Sequence, residues 1–432
     1  MPAAGRYRPC SSTGKMNIIL GYEAYQSLSG AALMMRGLAG ALTREGHRAL
    51  VVTSHQGSGL VSKKEEAGFR VLSLPGVANQ QRRGLSFARP ENLRTVKRIA
   101  RDFKPDVMHV HDFGFVSHFL QSAARQDGVP FLAHHHFSRE FVMRSLPAYL
   151  RWNPLLRAAS WTAIRSTVCR FYNRSSGILI PTRKMADEVL GWGVKSPVHV
   201  VSNGVDTRRF YPSDNCSSID GLAEDLSIPA EALQRPVLLY TGRLDYDKNL
   251  HTLLKAIPLI LEKHRATFLF AGDGVLRAEL EAQASHQPWG AFVHFLGFVP
   301  NSSDIFPRLY RAARLSWTAS PIEVQSLSLL EAMASGLPVM VAKDSALPDL
   351  VEEGRNGYII DTFNHRGFAE AALRIISDDN LYRSMGSRSR ELAKERDINR
   401  TWSEIMEHYL ASIAGSTRCP KSPAAFQTPG GH

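Results

Sequence analysis

Short apolar runs alternate with helical segments along most of the chain, and they do so in two successive series. Asn17–Leu20, Ala49–Thr53, Arg70–Leu74, Val107–Val110, Pro130–Ala133, Gly177–Ile180 and Val198–Val201 read as strands, with helical patterns at Ala31–Arg44 and Asn92–Phe103 between them. The pattern restarts with Val237–Tyr240, Thr267–Ala271, Val293–Leu296, Leu315–Thr318, Val339–Val341 and Tyr358–Ile360, and its helices include Leu250–Lys263 and Ser326–Ser335. Alternating β and α elements of this kind predict parallel sheets covered by helices on both faces. The expected fold is therefore α/β, with two doubly wound Rossmann-like domains facing across a cleft. The turn Asn203-Gly204-Val205-Asp206 and the polar stretch Ser213–Asp225 mark the boundary. The first domain is expected over 16–205 and the second over 206–395. A helix over 396–414 is expected to pack back toward the first domain, and residues 415–432, rich in Pro, Gly, Ser and Thr, are expected to be a disordered tail. In such domains a ligand sits at the carboxyl ends of the strands.

Hydrophobic residues make up 44% and charged residues 21% of the 432 residues, which excludes disordered and fibrous classes. The four cysteines, Cys10, Cys169, Cys216 and Cys419, share no short spacing, so neither a disulfide framework nor a Cys-type zinc site is expected. No apolar run approaches the roughly 20 residues that span a bilayer; Ala31–Leu42 is short and interrupted by Arg36. The opening residues lack an apolar signal region, and Met16, which opens the first strand, is an alternative start. The net charge of +12 is uneven. Residues 1–205 hold 28 Lys+Arg against 12 Asp+Glu, whereas residues 206–432 hold 24 against 28. A half carrying +16 points to a polyanion: nucleic acid, an anionic membrane or a phosphorylated substrate. A basic surface without a special partner is the bland alternative.

Five features carry chemistry. Ser29-Gly30 lies in the loop after the first strand, where a glycine lets backbone approach a phosphate, although a tight turn alone also needs one. Gly242-Arg-Leu-Asp-Tyr-Asp-Lys-Asn249 follows the first strand of the second series; Arg243 and Lys248 suit a diphosphate clamp, or else pair with Asp245 and Asp247. Glu323 precedes a helix and Glu331 lies within it among apolar neighbours. Two carboxylates there suit vicinal hydroxyls, with the helix start between them facing a diphosphate. His109, His111 and His134-His135-His136 form a histidine group. Alternate strand residues face opposite ways, so at most two of the three adjacent histidines are expected to converge, and no metal site is expected. Gly272-Asp273-Gly274 reads as a turn that walls the ligand.

Taken in order, these residues resemble the retaining, nucleotide-sugar-dependent glycosyltransferases of the GT-B fold, glycosyltransferase family 4. The likeness covers most of residues 16–395. It runs through Ser29-Gly30, Pro105-Asp-Val-Met-His-Val-His111, Asn203-Gly-Val-Asp206, Gly242-Arg243, Lys248-Asn249, Gly272-Asp-Gly274, Phe295-Leu-Gly297 and a Glu-x7-Glu signature at Glu323 and Glu331. The resemblance implies that Arg243, Lys248 and Gly30 meet the donor diphosphate, Glu323 the sugar and Glu331 the ribose. Ser326 and Leu327 would border the donor at the helix start, and Val299 the base. It implies no cofactor beyond the nucleoside-diphospho-sugar co-substrate. A narrower likeness over 129–212 is to the diacylglycerol glucosyltransferase branch, with Gln325 after Glu323 and His136 at the active-site histidine; His111 and His136 would then lie on the acceptor side. Two positions depart: Ser326 stands where a glycine is usual, and Phe137-Ser138 replaces a small polar and acidic pair.

The resemblance implies sugar transfer to an acceptor hydroxyl, with His136, Glu323, Arg243 and Lys248 carrying the chemistry and a lipid such as diacylglycerol as acceptor. A soluble or polyprenyl-linked saccharide is the alternative acceptor, and a noncatalytic nucleotide- or polyanion-binding protein is the rival class. Nucleic acid is not expected as a partner. Arg144, Arg151, Arg157 and Arg165 interleave with Tyr149, Trp152, Leu155 and Leu156. Trp161, Ile164, Val168 and Phe171 recur at helical spacing, so that stripe predicts either an interfacial helix on an anionic membrane or a core face. A cytoplasmic protein held peripherally at the inner membrane face is expected.

Overall fold

A computed structural model describes residues 14–27, 29–65, 67–78, 86–212 and 221–416. Most of the expected linker (213–220) and all but the start of the expected tail lie outside them. The chain divides into two compact units. One comprises Met1–His134, Arg170–Ile178 and Ile405–His432; the other comprises His135–Cys169 and Leu179–Glu404.

Nine strands build the first sheet: β1 (Asn17–Gly21), β2 (Arg48–Gln56), β3 (Val61–Lys64), β4 (Arg70–Ala78), β5 (Ser86–Ala88), β6 (Val107–Val110), β7 (Phe131–His134), β8 (Gly177–Ile180) and β9 (Val198–Val200). Their order is β3-β4-β2-β1-β6-β7-β8-β9, with β5 also on β4. The order reverses between β1 and β6, both parallel to their neighbours. The expectation of a wholly parallel sheet fails at one edge, where β3 and β5 run antiparallel to β4. The reason is legible in β3: Val61-Ser-Lys-Lys64 is exposed throughout, so it carries no hydrophobic pattern, and lysines on an edge strand discourage further pairing. The central strands are near-continuous apolar runs because both faces are covered. Ile18, Ile19 and Leu20 are all buried, as are Val107, Met108 and Val110.

Six strands build the second sheet, all parallel: β10 (Val237–Thr241), β11 (Thr267–Ala271), β12 (Val293–Gly297), β13 (Leu315–Thr318), β14 (Val339–Ala342) and β15 (Gly357–Ile360). Their order is β12-β11-β10-β13-β14-β15. Alternate residues feed two separate cores. Leu238, Tyr240, Phe268 and Phe270 pack on one face with the helix Leu250–Leu261, whereas Val237, Leu239 and Leu269 pack on the other with the helix Leu327–Ala334. The order reverses between β10 and β13, so the loops that follow these two strands are neighbours. That is where an open α/β sheet leaves a crevice.

The last helix, Ile398–Ser416, buries Ile405, Met406 and Tyr409, and its residues from Ile405 onward belong to the first unit. Among the described residues no helix is long and apolar enough to cross a membrane.

Candidate active site

In the second unit, the loops at the carboxyl ends of β10, β11 and β12 lock together through backbone. Gly272 N–H donates to the Gly297 carbonyl at 2.8 Å, Gly242 N–H to Ala271 at 3.0 Å and Leu244 N–H to Asp273 at 2.9 Å. Gly272 has φ +152° and a Cβ there would lie 1.8 Å from the Gly242 carbonyl oxygen, so only glycine fits. The Gly272-Asp-Gly274 turn thus fixes the loop that carries the expected clamp.

Within that loop the two cations part company. The Arg243 guanidinium forks onto Asp245 and Asp247, with 2.9 Å to the latter, and these carboxylates raise its pKa despite the opposing effect of burial. Lys248 Nζ instead donates to Glu323 Oε1 at 2.6 Å and lies 3.6 Å from Asp247. Asn249 holds the turn in the left-handed region (φ 53°), and its amide donates to the carbonyls of Ala319 and Thr362. Glu323 follows β13 and Lys248 follows β10, so the reversal of strand order is what brings them together. Chain separation of 75 residues thus collapses to one hydrogen bond.

Ser326 caps the helix Leu327–Ala334 in place of the usual glycine. Its Oγ accepts from Leu329 N–H at 3.3 Å and shares a hydrogen bond with Ser328 Oγ at 2.8 Å. The first helical N–H groups, at Leu327 and Ser328, have no acceptor within the helix and begin its positive end. Gln325 anchors this segment: its Oε1 accepts from Asn203 N–H at 2.6 Å and its Nε2 donates to the Pro181 carbonyl at 3.0 Å.

Glu331 is buried, and it accepts from Tyr310 Oη at 2.8 Å and Asn301 Nδ2 at 2.9 Å. Burial pushes its carboxyl up to about 7, against the opposing pull of Tyr310, Asn301 and nearby Arg209. Tyr310 also shares a hydrogen bond with Thr241 Oγ1 at 2.9 Å. Neither Tyr310 nor Asn301 was singled out in the sequence. The polar run Asn301-Ser-Ser-Asp304 after Val299 was the available signal for the second; the first had none. Val299 is partly buried against the core beside this segment.

In the first unit, Gly30 opens the helix Gly30–Arg44, capped by Ser29, whose Oγ accepts from Ala32 N–H at 3.3 Å. This loop follows β1 and His111 follows β6, again at the reversal of strand order. Of the three adjacent histidines only His134 joins a cluster, together with His109 and His111. His109, His111 and His134 are all buried and bring one ring nitrogen each to within 4.8 Å of the others. The reason is that His109 and His111, two apart, share a face, and His134 ends the adjacent strand on that same face. His109 Nδ1 is hydrogen-bonded to Tyr409 Oη at 2.8 Å. His135 faces elsewhere, between Phe137 and Trp192 with centroids at 4.3 and 5.5 Å. His136 belongs to the second unit and is half-buried. Burial holds its ring neutral, with a pKa pulled down to about 3.

The second unit also holds an open cavity of about 680 Å³ that reaches Glu323. It is lined by Ile322 and Ser345 and by residues of the short helices Arg139–Arg144 and Ala148–Trp152 and the start of Pro154–Tyr172. The apolar stripe read from spacing is core rather than interface. Trp161 packs edge-on to Trp192 at 5.2 Å, Val168 is fully buried, and Phe171 packs on Phe131. The exposed apolar residues lie just before it: Tyr149 (66%), Trp152 (81%) and Leu155 (81%), with Leu156 beside them.

Residues 28–209 match the family described as Glycosyltransferase Family 4, and residues 224–392 the family described as Glycosyl transferases group 1. The chain is a nucleotide-sugar-dependent glycosyltransferase. Its scaffold is GT-B and family 4-like, and its co-substrate is a nucleoside-diphospho-sugar. The transferase is 24% identical to the sulfoquinovosyl transferase SQD2 of Arabidopsis thaliana, over 86% of this chain and 69% of that protein. It is 25% identical to the alpha-monoglucosyldiacylglycerol synthase of Acholeplasma laidlawii, over 79% and 84%. Among solved structures it is similar to Anabaena Alr3699/HepE in complex with UDP-glucose, with a TM-score of 0.70, 21% identity, and coverage of 92% of this chain and 100% of that one.

Proposed function

We propose that the transferase moves a hexose, with retention of configuration, to a hydroxyl of a membrane lipid such as diacylglycerol, while held peripherally on the anionic inner face of a membrane. The observation that carries this reading is the Lys248–Glu323 hydrogen bond beside the helix start at Leu327, at the point where the strand order reverses. A sugar whose hydroxyls meet Glu323 places its anomeric carbon next to a diphosphate held by Lys248, Arg243 and the helix N-terminus. The bond from the anomeric carbon to the diphosphate oxygen breaks and the bond to the acceptor oxygen forms on the same face. The departing diphosphate oxygen takes the acceptor proton. Charge grows on that leaving group, and fixed cations and open N–H groups stabilise it without reorganising. Glu331 takes the ribose hydroxyls, Val299 borders the base, and Gly30 is assigned to the diphosphate by the family resemblance. His136 and His111 serve the acceptor side. A ring that stays neutral suits His136 to hydrogen bonding rather than to carrying a proton. No step requires a metal.

The lipid acceptor draws support from the name of one relative, an alpha-monoglucosyldiacylglycerol synthase, and from exposed Tyr149, Trp152 and Leu155 set among Arg144, Arg151 and Arg157. Aromatic and cationic side chains together suit a headgroup layer. The test is a panel of nucleotide-sugars with diacylglycerol in detergent, with and without chelator. Mass spectrometry identifies the product and NMR its anomeric configuration. An α-glycolipid from an α-donor, formed equally in chelator, is expected. Transfer only to a soluble or polyprenyl-linked saccharide would replace the lipid, and a β-product would refute retention.

A further inference from the structure

The cavity that reaches Glu323 is lined by more cationic capacity than its own acids use. Four cations face it: Arg139, Arg151, Arg157 and Lys184. Arg157 is paired with Glu140 at 3.0 Å, and the same carboxylate also binds Arg144. Arg139 lies over the Trp161 ring at 5.1 Å. The side chains of Arg151 and Lys184 donate only to backbone carbonyls, of Arg144 at 3.2 Å and of Ser345 at 2.7 Å, and neither makes an ion pair among the described residues; the Lys184 backbone N–H donates to Asp349 Oδ2 at 2.7 Å. Of the acids on the wall, Glu323 is held by Lys248 and Asp344 accepts from Thr362. Glu188 faces Arg139 and Lys184, and it accepts from the Arg139 backbone N–H at 3.4 Å. Exposed Trp152 lies on the same wall as Arg151.

Resting on the transferase reading above, we propose that the acceptor is acidic: it carries a phosphate diester close to the hydroxyl that receives the sugar, and Arg151 and Lys184 bind that phosphate. An Arg fork and a Lys point charge together match a phosphate's oxygens. A cavity of this volume accommodates a hydroxylated headgroup between Glu323 and the cations, with Trp152 against its apolar portion. Among membrane-lipid acceptors, a neutral diacylglycerol would leave Arg151 without an ion-pair partner, whereas Lys184 still has Glu188 nearby. The phosphate diester can belong to a phospholipid or to a water-soluble glycerophosphodiester, and the two differ only in the chains beyond the headgroup.

Equilibrium binding without donor tests this independently of turnover. The probes are dihexanoyl phosphatidylglycerol and dihexanoylglycerol, both below their aggregation limits so that no charged surface forms, and glycerophosphoglycerol as the headgroup alone. The acidic lipid should bind at least about tenfold more tightly than the neutral one, as expected for charge-assisted hydrogen bonds. In Arg151→Gln/Lys184→Gln this preference should fall to within about threefold. Headgroup binding comparable to the lipid would assign a soluble acceptor; a need for the chains would assign a lipid. Equal affinity of the wild type for the acidic and neutral lipids would overturn the proposal. So would an equal loss of both lipids in the double variant, which would make the two cations structural. Release of nucleoside diphosphate from nucleotide-sugar, measured separately, reports on the transferase reading: its absence would remove that reading while leaving a measured acid preference standing.

Discussion

Glu331 gives the transferase a pH dependence near neutrality. Its carboxyl is raised from the usual 4.5 to about 7 by burial, while Tyr310 and Asn301 donate to it. If the ribose diol is received by the carboxylate, the competent fraction of free protein is about one half at pH 7 and about one tenth at pH 6. Apparent affinity scales with that fraction, so nucleotide-sugar binding should weaken about tenfold from pH 8 to pH 6. A nucleotide-sugar is the right probe because its diphosphate does not titrate in this range. Stability follows the opposite course. For an acid raised in the folded state, the contribution is intact below pH 4.5 and is lost as pH rises through about 7. A shift of this size corresponds to roughly 3 kcal/mol across that window. Glu331→Gln should fold, since its amide oxygen can accept from Asn301 and its NH2 can donate to Tyr310, whose own proton then turns to Thr241. The variant should bind more weakly at pH 8 and lose the pH dependence of both affinity and stability. Titration calorimetry and urea unfolding between pH 5 and pH 8.5 measure the two. A wild-type affinity unchanged between pH 8 and 6, or an equal slope in the variant, would refute the reasoning.

Glu323→Gln should leave the fold intact and lower kcat/KM by about 10²–10³, because charged hydrogen bonds to the sugar are lost in the transition state; activity within twofold of wild type would remove its role. Arg243→Ala and Lys248→Ala should each weaken nucleoside diphosphate and nucleotide-sugar in calorimetry, without a comparable effect on the bare nucleoside; equal loss of all three would mean that they act on structure. Gly272→Ala should lower the thermal midpoint of the whole chain, as its methyl group meets the Gly242 carbonyl; an unchanged midpoint by calorimetry would show that the three loops yield. Binding to anionic vesicles should fall steeply with salt and fall again in Arg151→Glu/Arg157→Glu/Arg165→Glu, since each cation near the surface contributes about 1 kcal/mol; salt-independent absence in a flotation assay would remove the membrane.

Much of the second sheet was legible because its strands are covered on both faces. Val237–Tyr240, Thr267–Ala271 and Leu315–Thr318 are continuous apolar runs, and the loops after two of them carry Lys248 and Glu323 at positions that a local pattern can mark. Edge strand β3 was not legible, because an exposed Val-Ser-Lys-Lys segment has no periodicity to read. Spacing could mark Trp161, Val168 and Phe171 as one helical face, but not whether lipid or Trp192 and Phe131 would cover it. The three converging histidines depended on which strand lies beside β6, and Tyr409 reached His109 across 300 residues of chain. Sequence alone thus determined the elements and the charged residues at their carboxyl ends, since both follow from local pattern. Tertiary structure alone decided that Glu323 is held by Lys248 while Arg243 is held by two aspartates, and that Glu331 is buried against Tyr310. Those pairings depend on strand order, and strand order is fixed by packing between segments far apart in the chain.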